Sequence, residues 1–519
     1  MRHAFFTSIT AVAFLSGCKP VLTEITPIGS TFSNEPAYTF SSTADGELLF
    51  GGDCTSSTTT AVNGDNTIIF GTLGAGQYDN CTIKLQDASG QESNLLKVSS
   101  FEITLAAEQF FSVSRSDTAP DAELWKIDPS GSMSLIKNIN ESSDSDSSLF
   151  TEHNGKIFFV SDDGIHGREL WVTDGTEAGT FMVKDINPGG YDSSPGYFRS
   201  LGEKLLFVAD DGVSGKEIWA TDGTQAGTKL VKEIRVGSFG AAVMFPTVFK
   251  DQMYFHANDG LSGFELWKTD GTPGGTYMVK DIYPGPSHGR PYYLTVFEDE
   301  LYFRVDTPEF GHALWKSDGT ESGTVFVYSV SPSCAGANSC FVEYDGKLYF
   351  RGNGEGYGGE VWVTDGTNGG THILKDVRSG PGHGSPNQLI VFNGSLYFTA
   401  IDDINGSGLW KSDGSTDGTV MVTPMNSAAN FTVFNNSLYF TRGSRGTWET
   451  DGTADGTIKV SEQELLSNDK IFDGRFYFKK YNESTYHKEL WYSEDSLRDA
   501  EPVQDGETRY IFKDAFVAL

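Results

Sequence analysis

The chain has 519 residues, 13% aromatic residues, 60 glycines and a formal net charge of −32 at pH 7. This charge argues against nucleic acid and anionic membrane surfaces as partners, because both would repel the protein. The length exceeds that of one typical domain, and the mix of aromatic residues and glycine is typical of short strands joined by tight turns.

The first residues, MRHAFFTSITAVAFLSGC, place two basic residues before a short apolar run. This pattern predicts a signal peptide over residues 1–17, and the run is too short to span a membrane. The ending Leu15–Cys18 resembles the bacterial lipobox. The resemblance implies cleavage before Cys18, lipidation of its thiol, and an exported protein held at the membrane by lipid alone. Lys19 favours the outer membrane. The alternative is an ordinary secretory signal in which Cys18 is incidental.

The other four cysteines form two local pairs. Cys54 and Cys81 lie in one short region, and Cys334 and Cys340 lie in one loop. With Cys18 lipidated, an oxidising compartment would close both pairs and leave no spare thiol.

Residues 18–104 contain short apolar strands separated by turn-rich pieces. Examples are Tyr38–Phe40, Glu47–Phe50, Thr67–Phe70 and Cys81–Leu85. Such spacing predicts a small β-sandwich. The layout resembles bacterial immunoglobulin-like domains, and we expect it to act as a spacer between the membrane and the next domain.

Residues 105–519 repeat one segment, which reads ELWVTDGTEAGTFMVKDINPG from Glu169 to Gly189. All nine tryptophans occupy the same slot in this segment and follow one another at a nearly regular spacing. They are Trp125, Trp171, Trp219, Trp267, Trp315, Trp362, Trp410, Trp448 and Trp491. A period of this size predicts a repeat architecture.

Each unit reads as four short antiparallel strands. In the unit of Trp315 we predict them at Leu294–Phe297, Leu301–Val305, Leu314–Ser317 and Val325–Tyr328. Large apolar residues occupy successive positions, so both faces of each sheet are expected to be buried. Buried faces repeated around a ring predict an all-β fold with a β-propeller of about nine blades, with eight blades or a broken ring as alternatives. An open solenoid would need caps on two apolar ends.

A glutamate and a lysine recur together at one fixed separation in four units, as in Glu169 and Lys184. Where the glutamate is replaced, the lysine is replaced too, as in Ala313 and Tyr328. The joint loss predicts an ion pair between the third and fourth strands. Independent drift of the copies is the alternative.

The TDGTxxGT turn between the third and fourth strands has a local explanation. Asp174 is expected to accept hydrogen bonds from its own turn, and Gly175 to adopt a positive φ. The turn resembles the Asp-box of sialidases, where it is structural. Over about 390 residues the chain resembles bacterial proteins built from ELWxxDGT repeats. This resemblance implies an exported repeat protein and no defined activity.

The loops between second and third strands, and the links to the next unit, share one end of the fold and vary between copies, so a specific site is expected there. Acidic residues in these loops predict that they bind calcium, with capping of the loops as the alternative. They are Asp162, Asp163, Asp210, Asp211, Asp259, Asp402 and Asp403. The sequence indicates no other cofactor. Aromatic and basic residues mark the same end as a partner face. They are His166, Tyr191, His288, Arg290, Tyr292, His312 and His383.

These features favour a binding lipoprotein that presents a propeller face to a protein or glycan, at the cell surface or in the periplasm. An assembly scaffold of the envelope is the first alternative. The second is a carbohydrate-active enzyme, sialidase- or lyase-like, in which Arg290, Arg304 and Arg351 would clamp a carboxylate. No nucleophile elbow or zinc-protease motif occurs in the sequence.

The chain ends suggest how the ring closes. The first unit lacks a clear first strand, while an apolar segment follows the ninth unit at Arg509–Leu519. A propeller must join its ends to leave no open edge. We therefore predict that the C-terminal strand enters the blade of Trp125.

Overall fold

Each repeat folds into short strands because its Leu-Trp and Tyr-Phe runs favour strands and its Asp-Gly turns reverse the chain. A computed structural model describes residues 19–26, 28, 30–31, 36–71, 76–103, 109–114, 123–128, 132–334, 340–354, 356–443, 446–462, 470–472, 475–482, 487–493, 501–502, 504–505, 508–509 and 511–518. These residues contain strands and no helix, and so no helix there is long and apolar enough to cross a membrane. The chain forms two compact units, Met1–Ala107 and Glu108–Leu519. The predicted signal peptide and Cys18 lie outside the described residues.

The first unit contains ten described strands. They are β1 Leu22–Thr26, β2 Ser30–Thr31, β3 Ala37–Ser42, β4 Gly46–Gly51, β5 Thr60–Ala61, β6 Gly64–Ile69, β7 Gly76–Tyr78, β8 Thr82–Gln86, β9 Leu96–Lys97 and β10 Phe101–Ile103. They pair in the orders β1-β3-β6, β2-β10-β7 and β5-β4-β8-β9. The predicted disulfide between Cys54 and Cys81 is formed, and both cysteines are buried in the core beside Phe40 and Ile83. The immunoglobulin-like type of this unit stays a prediction.

The second unit begins with β11 Gln109–Ser114, β12 Glu123–Ile127 and β13 Met133–Lys137. Four sheets follow: β14 Ser148–His153, β15 Lys156–Asp162, β16 Arg168–Thr173, β17 Phe181–Lys184; β18 Gly196–Leu201, β19 Lys204–Asp210, β20 Lys216–Thr221, β21 Lys229–Lys232; β22 Met244–Phe249, β23 Gln252–Asn258, β24 Phe264–Thr269, β25 Tyr277–Lys280; β26 Tyr292–Phe297, β27 Glu300–Thr307, β28 Gly311–Ser317 and β29 Val325–Tyr328.

The remaining strands are β30 Val330–Pro332, β31 Phe341–Tyr344, β32 Lys347–Gly354, β33 Gly359–Thr364, β34 His372–Lys375; β35 Asn387–Phe392, β36 Ser395–Asp402, β37 Gly406–Ser412, β38 Val420–Pro424; β39 Ala428–Phe434, β40 Ser437–Arg442, β41 Thr447–Thr450, β42 Ile458–Ser461; β43 Lys470–Phe472, β44 Arg475–Asn482, β45 His487–Ser493, β46 Glu501–Pro502, β47 Gln504–Asp505, β48 Thr508–Arg509 and β49 Ile511–Ala518.

The second unit is a β-propeller. From β14 onward each repeat forms an antiparallel sheet in chain order, and the first strands of neighbouring sheets lie against each other, as β14, β18, β22 and β26 do. The middle strands are buried without alternation, as predicted; β15 and β16 are each almost wholly buried. The core lies between successive sheets, where Phe158 and Leu170 of one sheet pack with Phe207 and Trp219 of the next.

The C-terminal strand closes the ring as predicted. Strand β49 pairs antiparallel with β11, with Val517 opposite Phe110 and Asp514 opposite Ser112. It also touches β45 through Ile511 and Glu489, so the first and last units share one sheet. The blade count of eight or nine stays a prediction.

The predicted ion pair between glutamate and lysine is wrong. A register shift between Leu170 and Trp171 places Lys184 opposite Leu170 rather than Glu169. The Lys184 ammonium instead donates to the carbonyl oxygen of Thr228 in the next sheet, at 3.0 Å. The same contact recurs in four further units, so this lysine ties neighbouring sheets together.

The glutamate holds the link to the next sheet. The Glu169 carboxylate is buried and accepts the N–H groups of Ile186 and Asn187 at 3.0 and 3.3 Å. Glu217, Glu265 and Glu360 repeat this arrangement. After the Trp315 unit, which lacks the glutamate, the link contains β30 and the predicted disulfide between Cys334 and Cys340. The loss of the glutamate in this unit therefore accompanies a rebuilt link.

The TDGTxxGT turn is structural, as predicted. Asp174 accepts hydrogen bonds from the Thr176 N–H and hydroxyl groups at 3.0 and 2.7 Å, and Gly175 has φ of 87°. The hydroxyls of Thr173 and Thr180 close the turn at 2.7 Å. The same bonds recur in every described copy from Asp222 to Asp451.

Candidate functional site

The predicted site residues lie at one end of the propeller, which we call the linker face. It consists of the loops between second and third strands and the links from each fourth strand to the next first strand. Every predicted calcium or partner residue lies in such a connection or at the adjoining strand end.

The acidic loop residues of this face cap their own loops. Asp162 accepts the N–H of Gly164 at 2.7 Å, and Asp163 accepts those of Ile165 and His166 at 2.9 Å. Asp210, Asp211, Asp259 and Asp402 make equivalent bonds, and Asp403 pairs with Arg378 at 3.0 Å. Within the described ranges no three His, Cys, Asp or Glu side chains come together as a metal site. The geometry thus shows the capping role, and calcium binding stays a prediction.

The loop tips carry an array of exposed apolar side chains that the sequence analysis did not single out, apart from Tyr191. Ile165, Val213 and Leu261 occupy the same loop position in three successive units, and Tyr191 and Phe239 occupy the same link position. All five side chains are between 69% and 81% exposed. The two rows adjoin, since a Cβ on Gly167 would lie 2.7 Å from the Tyr191 carbonyl carbon. We call these five residues the apolar tips.

An apolar groove of about 600 Å³ opens on the linker face. It lies where the first strands of the Trp171, Trp219 and Trp267 units begin. Its lining comprises Leu149, Val160, Arg168, Ser194, Pro195, Gly196, Tyr197, Val208, Lys216, Ala242, Val243 and Met244.

Two groove residues are held in a strained backbone. Leu149 and Tyr197 sit at bulges in β14 and β18, with φ of 56° and 58°, and both side chains are about half exposed. A left-handed conformation costs a bulky residue about 1–2 kcal/mol. Phe245 and Tyr293 share this geometry in the next two units. Each bulge therefore sets the position of one large side chain near the start of its first strand.

The internal repeat shows why the groove is open. The equivalent positions of the following unit hold larger rings: His256 replaces Val208, Phe264 replaces Lys216, and Tyr292 replaces Met244. There His256 packs against Phe264 at 4.5 Å and against Tyr292 at 5.4 Å between ring centroids. Burial lowers the pKa of His256 to about 4 and keeps the ring neutral. The rings of His256, Phe264 and Tyr292 thus fill a space that stays open as the groove at the equivalent positions of the preceding unit.

A second pocket, of about 510 Å³, lies against the Trp315 unit, and we call it the Trp315 pocket. Its lining comprises Tyr283, Pro286, Ser287, His288, Arg290, Asp306, Thr307, Pro308, Gly311 and His312. The structure therefore brings together three predicted partner residues, His288, Arg290 and His312. Tyr292 packs nearby, with the Arg304 guanidinium 5.5 Å from its ring centroid.

Other predicted residues lie elsewhere. His166 pairs with Asp163 at 2.7 Å in the Trp171 unit, and the His383 Nδ1 atom accepts the Gly359 N–H at 2.9 Å. The predicted arginine clamp does not form in this pocket, because Arg304 is bound to Asp306 and Arg351 is not part of the lining.

Asp306 is the centre of a charged network in the Trp315 pocket. It accepts two hydrogen bonds from Arg304, at 2.8 and 2.9 Å, and contacts the His312 Nδ1 atom at 2.5 Å. Burial alone would raise the pKa of Asp306, but the hydrogen bonds from Arg304 and His312 outweigh burial and hold the pKa below its usual range. The residue is therefore a carboxylate at neutral pH.

A comparison with protein families and with curated proteins finds no match. Among solved structures, the chain is similar to the computationally designed Ika8 protein, with 12% identity, a TM-score of 0.36 and coverage of 72% of this chain and 98% of that one. It is similar to BamB from Moraxella catarrhalis, with 15% identity, a TM-score of 0.32 and coverage of 68% and 96%. It is also similar to puromycin hydrolase, with 11% identity and a TM-score of 0.35, over 65% of this chain and 57% of that one. Similarity this distant carries no argument about function.

Proposed function

We propose that this chain is an exported, lipid-anchored binding protein whose linker face holds a partner protein. The observation that carries the proposal is the array of apolar tips over three successive units. The predicted signal peptide, the lipobox-like Cys18 and the small N-terminal unit support an anchored protein held away from the membrane, with the outer membrane as the expected site.

The apolar tips have the properties of an interface. A single exposed aliphatic residue on a protein surface needs no explanation, but contiguous exposed apolar surface commonly marks an interaction site. Here Ile165, Val213 and Leu261 repeat at one position, and the rest of each loop is capped by aspartate or asparagine in the same way. Because these bonds fix the shape of the loops, the side chain at each tip is not needed for folding and can be chosen to contact a partner.

The apolar groove gives such a partner a place to anchor. Interface energy concentrates where a side chain enters a desolvated pocket, and the groove is large enough for one. Two cations lie at its rim. Arg168 donates to the Ser148 hydroxyl at 2.6 Å and pairs with Asp146 at 3.8 Å, and Lys216 has no ion-pair partner among the described residues. In a chain of net charge −32 this local charge favours a segment with an acidic group beside an apolar one.

The test uses the repeat as its own control. A photo-crosslinking amino acid replaces Val213 in one variant and Ile404 in another, each in the full chain in its native cells. Ile404 occupies the equivalent loop tip in the Trp410 unit and is 90% exposed. We expect a specific crosslinked protein from position 213 only. We expect the triple substitution Ile165→Ser, Tyr191→Ser and Leu261→Ser, combined with the crosslinker at 213, to remove most of that product.

Equal products from positions 213 and 404, or none from 213, would refute binding through the apolar tips. A product from 213 that survives the triple substitution would also contradict it. Unchanged melting of each purified variant excludes a folding defect as the cause.

A further inference from the structure

The Trp315 pocket departs from the repeat at several positions at once. It shares no lining residue with the groove and contains none of the apolar tips, so the ligand that it takes can be tested separately from the function proposed above. Equivalent positions in neighbouring units can be compared with those of the pocket. Features that they share are needed for the fold, and features found only here are specific to the pocket.

The first departure is Arg290. Its equivalents are Asp146, Ser194, Ala242 and Ser385, and all five residues have a left-handed backbone, with φ between 45° and 50°. The other four side chains are short, and only here among these five does the position carry a long cation. The Arg290 guanidinium has no hydrogen-bond or ion-pair partner among the described residues, and it lines the pocket.

The second departure is the use of Asp306. Its equivalents Asp210 and Asn258 cap their own loops by accepting the N–H of a glycine two residues later, at 2.8 and 2.7 Å. Asp306 instead binds Arg304 and His312 through its side chain. The loop is thus rebuilt so that the Asp306 carboxylate and the His312 imidazole lie together at the pocket wall, with Arg304 bound to Asp306 behind them.

The third feature is the orientation of His288. Its Nδ1 atom accepts the backbone N–H of Phe264 at 3.1 Å, which is the same structural bond that His383 makes in its own unit. In the neutral ring this bond leaves the proton on Nε2. His288 therefore adds a hydrogen-bond donor to a pocket that Arg290 already makes cationic.

We infer that the Trp315 pocket binds a hydroxyl-bearing carboxylate, such as a hexuronate. Arg290 is the partner for the ligand carboxylate. A guanidinium without a protein partner, in a protein of net charge −32, offers a carboxylate a charge-assisted, bidentate hydrogen bond. Asp306 accepts hydrogen bonds only and would repel a plain anion, so the ligand must also carry donors, which hydroxyl groups supply. His288 and His312 complete the polar contacts.

The apolar part of the wall agrees with this ligand class. Tyr283, Pro286 and Pro308 line the pocket beside the charged groups. A sugar ring presents C–H groups on its faces and hydroxyl groups at its edge, so it needs both kinds of wall. The pocket volume of about 510 Å³ lies within the usual range for a small-molecule site and leaves room for a monosaccharide or the end of a longer chain.

The test measures binding of glucuronate to the full chain by titration calorimetry, with glucose and acetate as matched probes. Glucose lacks the carboxylate, and acetate lacks the hydroxyl groups. The variant Arg290→Ser copies the residue found at the equivalent positions 194 and 385, so the backbone should tolerate it. The variant Arg378→Ser removes the same charge from another link, where Arg378 is already paired with Asp403. Trigalacturonate is titrated as a further probe, and it tests whether the pocket binds the end of an oligosaccharide better than a free monosaccharide acid.

We expect glucuronate or trigalacturonate to bind, glucose and acetate to bind at least ten-fold more weakly, and Arg290→Ser to weaken binding about ten-fold or more. Arg378→Ser should change the affinity less than two-fold, and His312→Ser, which copies Ser407, should also weaken it. The inference is overturned if neither acid binds at ~10 mM, a concentration that would reveal even weak binding. It is equally overturned if acetate binds as tightly as glucuronate, or if both arginine variants behave alike.

Discussion

The glutamate that opens each ELW segment shows how one residue can serve two adjacent sheets. Glu217 is fully buried and accepts the N–H groups of Ile234 and Arg235, at 3.2 and 2.9 Å, in the link that leaves its sheet. Burial raises the pKa of Glu217 to about 7, although these backbone hydrogen bonds oppose the shift. Five such glutamates recur among the described strands of the propeller, and the pKa of each is raised to about 7 or 8.

The raised pKa predicts that stability falls as the pH rises. The folded state holds the Glu217 proton more tightly than the unfolded state does, so its contribution is full below about pH 4.5 and is lost as the pH rises to about 7. Glu217→Gln removes this titration. We expect it to reduce the difference in unfolding free energy between pH 5 and pH 8 by on the order of 2 kcal/mol, measured by urea unfolding.

The exposed Glu343 is the control, because Glu343→Gln removes the same charge from a solvated strand position. A Glu217→Gln variant whose stability varies with pH as the wild type's does would show that Glu217 is ionised in the folded state throughout this range.

The strands themselves were predictable from the sequence, and the contacts between sheets were not. The four strands predicted for the Trp315 unit are all present, and three of them extend further, as Tyr292–Phe297, Glu300–Thr307 and Gly311–Ser317. The partner of Lys184 was missed because its contact with Thr228 joins two different sheets. The prediction compared residues that recur within one unit, and such a comparison detects only contacts within one sheet.

The groove was missed because small residues give no motif. The groove can be traced in the sequence through one position of the repeat, where aligned units place Val160, Val208, His256 and Arg304 in succession. We call such a set of equivalent positions a column. The change from valine to a larger polar residue marks where the cavity ends and the charged network begins. Reading the repeat by columns, rather than by the shared ELW segment, would have located both candidate sites.

The same columns predict that the groove can be filled. The triple variant Val208→His, Lys216→Phe and Met244→Tyr copies the cluster that packs tightly in the following unit. We expect it to fold and to gain about 1–2 kcal/mol of unfolding free energy, because it buries ring surface in a cavity. Urea unfolding measures the gain. Val208→His alone is the control and should destabilise, since it buries an imidazole without the rings that surround His256.

A triple variant that is less stable than the wild type would mean that neighbouring units are not interchangeable at this interface. In that case the groove would reflect a different local backbone rather than smaller side chains.

At the scale of the whole molecule, the ring depends on its last strand. Strand β49 lies between β11 and β45, so it covers the open edge of the first unit and joins that unit to the last. No single repeat holds the ring closed, because every other described sheet of the propeller is built from consecutive segments of the chain. The closure is therefore the one long-range pairing among the described strands on which the circular arrangement of the sheets depends.

Removing residues 508–519 should for this reason cost far more than removing a frayed tail. The pairing of β49 with β11 spans five residue pairs, whose backbone hydrogen bonds alone contribute on the order of 3–5 kcal/mol. The deletion also exposes two strand edges, which favours association between molecules. We expect a lower melting temperature by scanning calorimetry and concentration-dependent oligomers by light scattering. A chain lacking residue 519 alone is the control and should melt like the full-length protein. If the longer deletion also melted unchanged and stayed monomeric, the ring would have to be held by contacts between neighbouring sheets, and β49 would be dispensable.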